Sequence, residues 1–214
     1  MFCCIRTCLD GFGLPHNVNK HVSKENPIRL DTSYMGYEVV IVKDGKRVCG
    51  SGGVLGAAPL VQSKSYFEVK IQQSGGWSVG LATRHTNLNL SLGGMDDHSW
   101  TLSHDGYIRH NKQQLYKLNN DINNDQQQTS TSTSSTTSKI PSEGDIIGVA
   151  YDHIHLKFYL NGQHLDGADL NNCKGTLYPV LYVDDGSILD IIFDNFTYPI
   201  PNGYERIMIE QSLL

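Results

Sequence analysis

Hydrophobic residues recur along this chain in short runs, several with a period of two, and glycine, asparagine and aspartate separate the runs. The clearest example lies between Gly144 and Gly162. Its first run, Ile146–Tyr151, is nearly continuous, the pattern of a strand buried on both faces. Its second, Ile154–Leu160, alternates: Ile154, Leu156, Phe158 and Leu160 fall on one face, His155, Lys157 and Tyr159 on the other. Asp152-His153 interrupts the two runs and Asn161-Gly162 turns the chain at the end. The pair predicts a hairpin at the centre of an antiparallel sheet.

The same reading extends along the chain. Glu38–Lys43 is rich in β-branched residues, Asp44-Gly45 marks a hairpin turn, and Lys46–Cys49 returns as its partner. Gly50–Pro59 reads as a glycine-rich loop between strands. Ser65–Ile71 alternates, setting Tyr66, Glu68 and Lys70 against Phe67, Val69 and Ile71. Gly75-Gly76 makes a turn and Trp77–Thr83 returns; a polar loop follows over Arg84–Asp97. His98–Ser103 and Tyr107–His110 are strands around an Asp105-Gly106 turn. Gln163–Gly175 is loop, and Leu177–Val183 is a strand whose Pro179 points to an edge or a bulge. Asp184-Asp185-Gly186 turns the chain into Ser187–Phe193, and Tyr204–Leu214 adds a final strand or short helix. Closely spaced turns without helical periodicity predict an all-β sandwich.

Two stretches stand outside this pattern. Residues 1–26 read as a flexible, cysteine-containing segment, with order beginning near Ile28 and a single domain over 27–214. Asn119–Lys139 is Asn/Gln-rich and then Ser/Thr-rich, with Ile122 alone apolar; it buries too little to offset its ordering entropy and reads as a disordered insertion in a surface loop. Loop closure grows only slowly with length, so one domain tolerates it.

Composition narrows the function classes. Seventeen basic residues against 22 acidic give a net charge of −5, with no Lys/Arg cluster, which argues against a nucleic-acid partner. No run approaches the roughly 20 apolar residues of a membrane span. The start MFCCIRTCLDGFG lacks an apolar signal core, so the expected compartment is cytoplasmic and the sequons at Asn89 and Asn195 stay unused. Five cysteines in such a chain do not predict a disulfide framework. Cys3, Cys4 and Cys8 lack a nearby histidine at zinc-ligand spacing; Cys3 and Cys4 are instead candidates for S-acylation, since two adjacent chains anchor stably where one does not. That would give peripheral membrane association, against the alternative of an unmodified tail.

Candidate chemistry is sparse. Gly50-Ser51-Gly52-Gly53 lacks the Gly-Lys-Ser/Thr ending of a phosphate loop, and no base and acid are marked for a serine nucleophile. His153 and His155 could share a face as a metal pair, but a turn position for His153 and a solvated-face position for His155 are the better account. Glu68 and Asp145 show no partner for acid–base work, and Trp77, Trp100 and the eleven tyrosines suit a sandwich core. No enzyme, metal or cofactor is expected.

Several motifs carry a family resemblance in order: Leu30-Asp31, Tyr66–Val69, Trp77–Ala82, His98–Trp100, Gly144–Val149, Phe158–Gly162 and Leu177–Val180. Over about Leu30 to Asn195 the chain resembles a SPRY (B30.2-like) domain. The resemblance implies a bent, concanavalin-like sandwich of two antiparallel sheets serving as a protein-interaction module or adaptor, with a peptide site on loops at one end. In the SOCS-box subgroup that site uses an Arg-x-Pro segment, a loop tyrosine and a Val-Trp-Gly turn. Carried over, these fall on Gly45–Cys49, where Arg47 stands without a proline; on Asn87–Gly94, which has Leu88 and Asn89 but no tyrosine; and on Val183–Gly186, where Asp184 and Asp185 precede Gly186. Arg47, Leu88, Asn89, Asp184, Asp185 and Gly186 are thus the candidate partner-binding residues. Two carboxylates there would repel the acidic peptides of that subgroup and favour a basic protein or peptide ligand, unless Asp184–Gly186 is simply a good turn. The competing reading is a membrane-tethered scaffold governed by its cysteine-rich start.

Overall fold

The computed structural model describes residues 27–118 and 140–209. The acylation candidates Cys3 and Cys4, the linker and the 119–139 insertion therefore lie outside the described residues. Among these, all regular structure is strand.

One set of strands comprises β1 (Leu30–Met35), the second half of β3 (Arg47–Gly56), β13 (Tyr178–Asp184), β5 (Gly76–Ala82), β6 (Ser99–Ser103), β7 (Tyr107–His110) and β8 (Gln113–Lys117). The other comprises β2 (Glu38–Val42), the first half of β3, β14 (Ile188–Ile192), β4 (Ser65–Gln73), β9 (Ile146–Tyr151) and β10 (His155–Leu160), finished by the two-residue β11 (Gln163–His164) and β12 (Leu170–Asn171). All pair antiparallel except β15 (Glu205–Arg206), which lies parallel to the start of β4. For brevity these are the first and second sheets.

Strand β3 belongs to both. Its first residues pair with β2 and β14 and its last with β1 and β13. The chain bends between them at Gly50 and Gly52, whose φ values of 98° and 121° suit glycine alone. A Cβ at Gly53 would lie 2.5 Å from the Tyr182 ring. The glycine run expected to be a loop is therefore a strand in the middle of the hydrogen-bonded order. Its glycines are there because a bent strand must pass beneath an aromatic ring, and local pattern alone cannot distinguish that from a loop.

Between the sheets lies the main core. Alternate positions supply it: Phe67, Val69 and Ile71 from β4, Trp77, Val79 and Leu81 from β5, Ile147, Val149 and Tyr151 from β9, Leu156, Phe158 and Leu160 from β10. Trp100 joins it, as the sandwich reading required.

Three further expectations are corrected. The β9–β10 hairpin sits towards one rim of its sheet, and the centre is β14-β3-β13. Strand β9 is buried on both faces because its outer face, at Gly148, lies under Tyr66, which in turn packs against Phe196 with ring centroids 5.0 Å apart. Ile154 is 64% exposed and precedes β10 rather than facing inward, because positive φ at His153 ends the alternation. Pro179 lies in an interior strand, flanked by β3 and β5; pairing with β3 begins only at Val180, and the Pro179 ring packs on Gly56, so the strand tolerates the missing donor at its first turnward positions.

Candidate functional site

The outer face of the first sheet is built from small residues: Ser78 and Gly80 on β5, Ser99, Thr101 and Ser103 on β6, all buried. Into this trough settles the 84–97 loop. Gly93 N donates to Ser78 Oγ (3.2 Å) and Gly94 N to Ser99 Oγ (3.0 Å). Asp96 gathers the loop, accepting from Asn87 N (2.7 Å), Ser99 Oγ (2.7 Å), Thr86 Oγ1 (2.8 Å) and His98 N (3.0 Å). Tyr182 Oη, 2.9 Å from Thr86 Oγ1, donates to the Asn87 carbonyl at 3.3 Å. Leu88 and Leu90 pack on a second apolar cluster of Leu55, Ala82, Tyr178, Val180 and Tyr182.

Burial pushes the Asp96 carboxyl upward, but the four hydrogen bonds outweigh it and hold the group below its ordinary range. A depressed carboxylate stabilises its partners above its unfolded pKa and releases them as pH falls through the folded value. The Asn87 and His98 amide resonances are therefore expected to titrate together, with a midpoint below the usual aspartate value of about 3.9. Separate midpoints, or one at or above that value, would mean that Asp96 does not hold the loop.

Each sequence-derived candidate now has a place around the β3 bend. Arg47, at the start of β3, is engaged by Asp190 through Nε (2.6 Å) and Nη2 (2.9 Å). The Leu88 carbonyl accepts from Gly53 N at 2.7 Å, just past the bend. Asn89 Oδ1 accepts from Tyr37 N at 3.0 Å, tying the loop to the β1–β2 turn and fixing the backbone of Tyr37, a residue 93% exposed. Asp184 ends β13 one position beyond the Val183–Gly52 pair. Asp185 and Gly186 take positive φ, and Ser187 closes the turn by donating through N to the Asp184 carbonyl (3.0 Å) and through Oγ to Gly76 O (2.7 Å). Leu88 and Asn89 thus join one surface with Tyr37. Arg47 is committed to an ion pair on the other sheet, and Asp184–Gly186 forms an acidic corner at the end of β13.

Sequence reasoning missed Tyr37, and it missed the stack formed by Tyr34, Arg84 and Tyr178. The Arg84 guanidinium lies 4.3 Å from the Tyr34 ring centroid and 4.8 Å from that of Tyr178. The three residues come from β1, the loop and β13, and no local motif marks them. His153 and His155 face different groups, the Gln62 carbonyl (2.8 Å) and Asp152 (3.4 Å). Among the described residues no group of three or more His, Cys, Asp or Glu is arranged to hold a metal ion.

Comparison with known proteins places this architecture. A family model of the SPRY domain matches residues 64–196. The chain is 42% identical over 213 residues to SPRY domain-containing protein 7 of Bos taurus, covering 100% of this chain and 97% of that relative. Against the Homo sapiens protein of that name it is 41% identical, with the same coverage. Among solved structures, the SPRY domain of human HERC1 aligns with a TM-score of 0.56 at 14% identity, over 78% of this chain and 99% of that one. The TRIM65 PSpry domain aligns with a TM-score of 0.57 at 14% identity, over 79% and 90% respectively. Those two likenesses concern the fold; the family model and the full-length relatives concern the sequence. Together they agree, and the chain belongs to the SPRY domain family.

Proposed function

We propose that this SPRY domain is a non-catalytic adaptor that binds a segment of another protein on the face formed by the 84–97 loop and the β1–β2 turn. SPRY domains are, as a family, protein-interaction modules. The observation that carries the reading is Tyr37: a large aromatic side chain left 93% exposed while its backbone is pinned by Asn89 on a loop that Asp96 has already ordered. A backbone fixed in advance lowers the ordering cost of binding, and an exposed aromatic side chain carried on it makes an effective anchor. Asp184 and Asp185 at the neighbouring corner favour a basic stretch in the ligand.

The test is affinity purification of the tagged full chain from cells beside a Tyr37→Ala/Asn89→Ala variant of matched thermal stability. Proteins recovered with the wild type are expected to fall about tenfold with the variant, as for loss of an interface anchor. Equal recovery of the same proteins by both would rule this face out.

A further inference from the structure

The Tyr34–Arg84–Tyr178 arrangement sets an exposed cation over two rings at the edge of the second apolar cluster. Arg84 is exposed, its side chain reaches across β3 from the loop, and the hydrogen bond the structure shows for it is from Nη1 to Tyr34 Oη at 3.3 Å. By contrast, Arg47 pairs with Asp190 and Arg109 with Asp105. Arg84 is held by aromatic faces instead of by a carboxylate. Ring faces do not use the N–H donors of a guanidinium, and its planar fork matches a carboxylate in bidentate geometry. Two rings also fix the side chain in advance, so less freedom is lost when a ligand arrives.

Position adds a direction. Tyr178, Val180, Tyr182 and Asp184 alternate along β13; the first three belong to the outer cluster, and period two puts Asp184 on that same face. Arg84 lies over Tyr178 at one end and Asp184 stands at the other, so the face carries a cation and an anion roughly 20 Å apart, six strand positions at about 3.3 Å each. We infer that the protein segment bound on this face presents an aspartate or glutamate carboxylate to the Tyr34–Arg84–Tyr178 stack, with its basic stretch towards Asp184 and Asp185. The ligand is therefore bipolar and lies in one orientation. This rests on the reading of the loop face as the docking surface.

A display library of random twelve-residue peptides, selected on the full chain and on its Arg84→Gln variant, tests it. The wild type is expected to enrich peptides with Asp or Glu at one position and Lys or Arg about six positions away. Selection on Arg84→Gln should lose the acidic preference and keep the basic one; Asp184→Asn/Asp185→Asn should do the reverse. Changing the selected acid to its amide should weaken binding about tenfold to the wild type and less than twofold to Arg84→Gln. Arg84→Lys should recover only part of the difference, because lysine keeps the charge and loses the planar fork. Enriched peptides with no acidic position, or with one that persists on Arg84→Gln, would overturn the inference while leaving the docking face standing. Enrichment indifferent to Tyr37→Ala/Asn89→Ala, or none at all, would overturn both.

Discussion

Replacing Glu68 with leucine is expected to lower the stability of the domain by about 3–5 kcal/mol. Glu68 lies on the outer face of β4 with 0% exposure. Its carboxylate accepts hydrogen bonds from Thr197 N (2.8 Å), Tyr198 N (3.1 Å) and Tyr66 Oη (3.1 Å). Two of those donors belong to the segment after β14, which crosses the outer face of the second sheet and carries Phe196 onto Tyr66. Leucine would leave three donors without an acceptor, at about 1–3 kcal/mol for each that stays buried. Thr197 is exposed and recovers water, which keeps the sum below the top of that range. Glu68→Gln retains one acceptor oxygen and should lose less than half as much. Urea midpoints at constant m-value measure both; a leucine variant within about 1 kcal/mol of wild type would show that this carboxylate does not hold the crossing segment down.

Asp190→Ala should cost about 2–4 kcal/mol, by removing the acceptor around which the outer face of β3, β4 and β14 is organised. The Asp190 side chain is 5% exposed and meets Arg47, Lys43 Nζ (2.7 Å) and Gln72 Nε2 (3.0 Å). Without it, Arg47 loses the carboxylate it is paired with, although Lys43 extends into water and recovers hydration. Burial raises the Asp190 carboxyl, but the bonds and charges of Arg47 and Lys43 outweigh it, so the group titrates below its usual range. Its contribution is therefore complete above the unfolded value of about 3.9 and disappears as pH falls through the folded one. Stability measured downward from neutral pH should decline less steeply at the acid end in Asp190→Asn than in wild type. Parallel acid limbs would refute the assignment.

Apolar runs bounded by turn residues were readable, whether they alternate or are continuous. Tyr107–His110 and Ile146–Tyr151 have the bounds that their patterns predict, and Phe67, Val69 and Ile71 share one face as expected, which is the one turned to the core. Strand β8 was not readable, because Gln113–Lys117 is an edge whose side chains are mostly exposed and polar. Nor was β3, whose glycines answer to Tyr182 and to the crossing of two sheets. Glu68 looked unpartnered in sequence because its two backbone donors stand 129 and 130 positions away. The candidate surface divides in the same manner. Leu88 and Asn89 were reachable through the family pattern, whereas Tyr37 acquires meaning only through its bond to Asn89, and Arg84 only when β1 and β13 come to stand on either side of β3.

Strand β3 also dictates when this protein can fold. It is synthesised early, yet its neighbours β13 and β14 are completed only at Ile192, after nearly all the other strands. Until then the ribosome presents an apolar, glycine-bearing strand with one side unsatisfied, the kind of edge that recruits other chains. The sandwich therefore cannot close before Tyr178–Ile192 is available, and a chain truncated before Tyr178 is expected to aggregate rather than fold. The same logic sets the limits of a workable fragment. Residues 64–196 carry the family match but omit β3, and would leave β13 and β14 to face each other across the width of a missing strand.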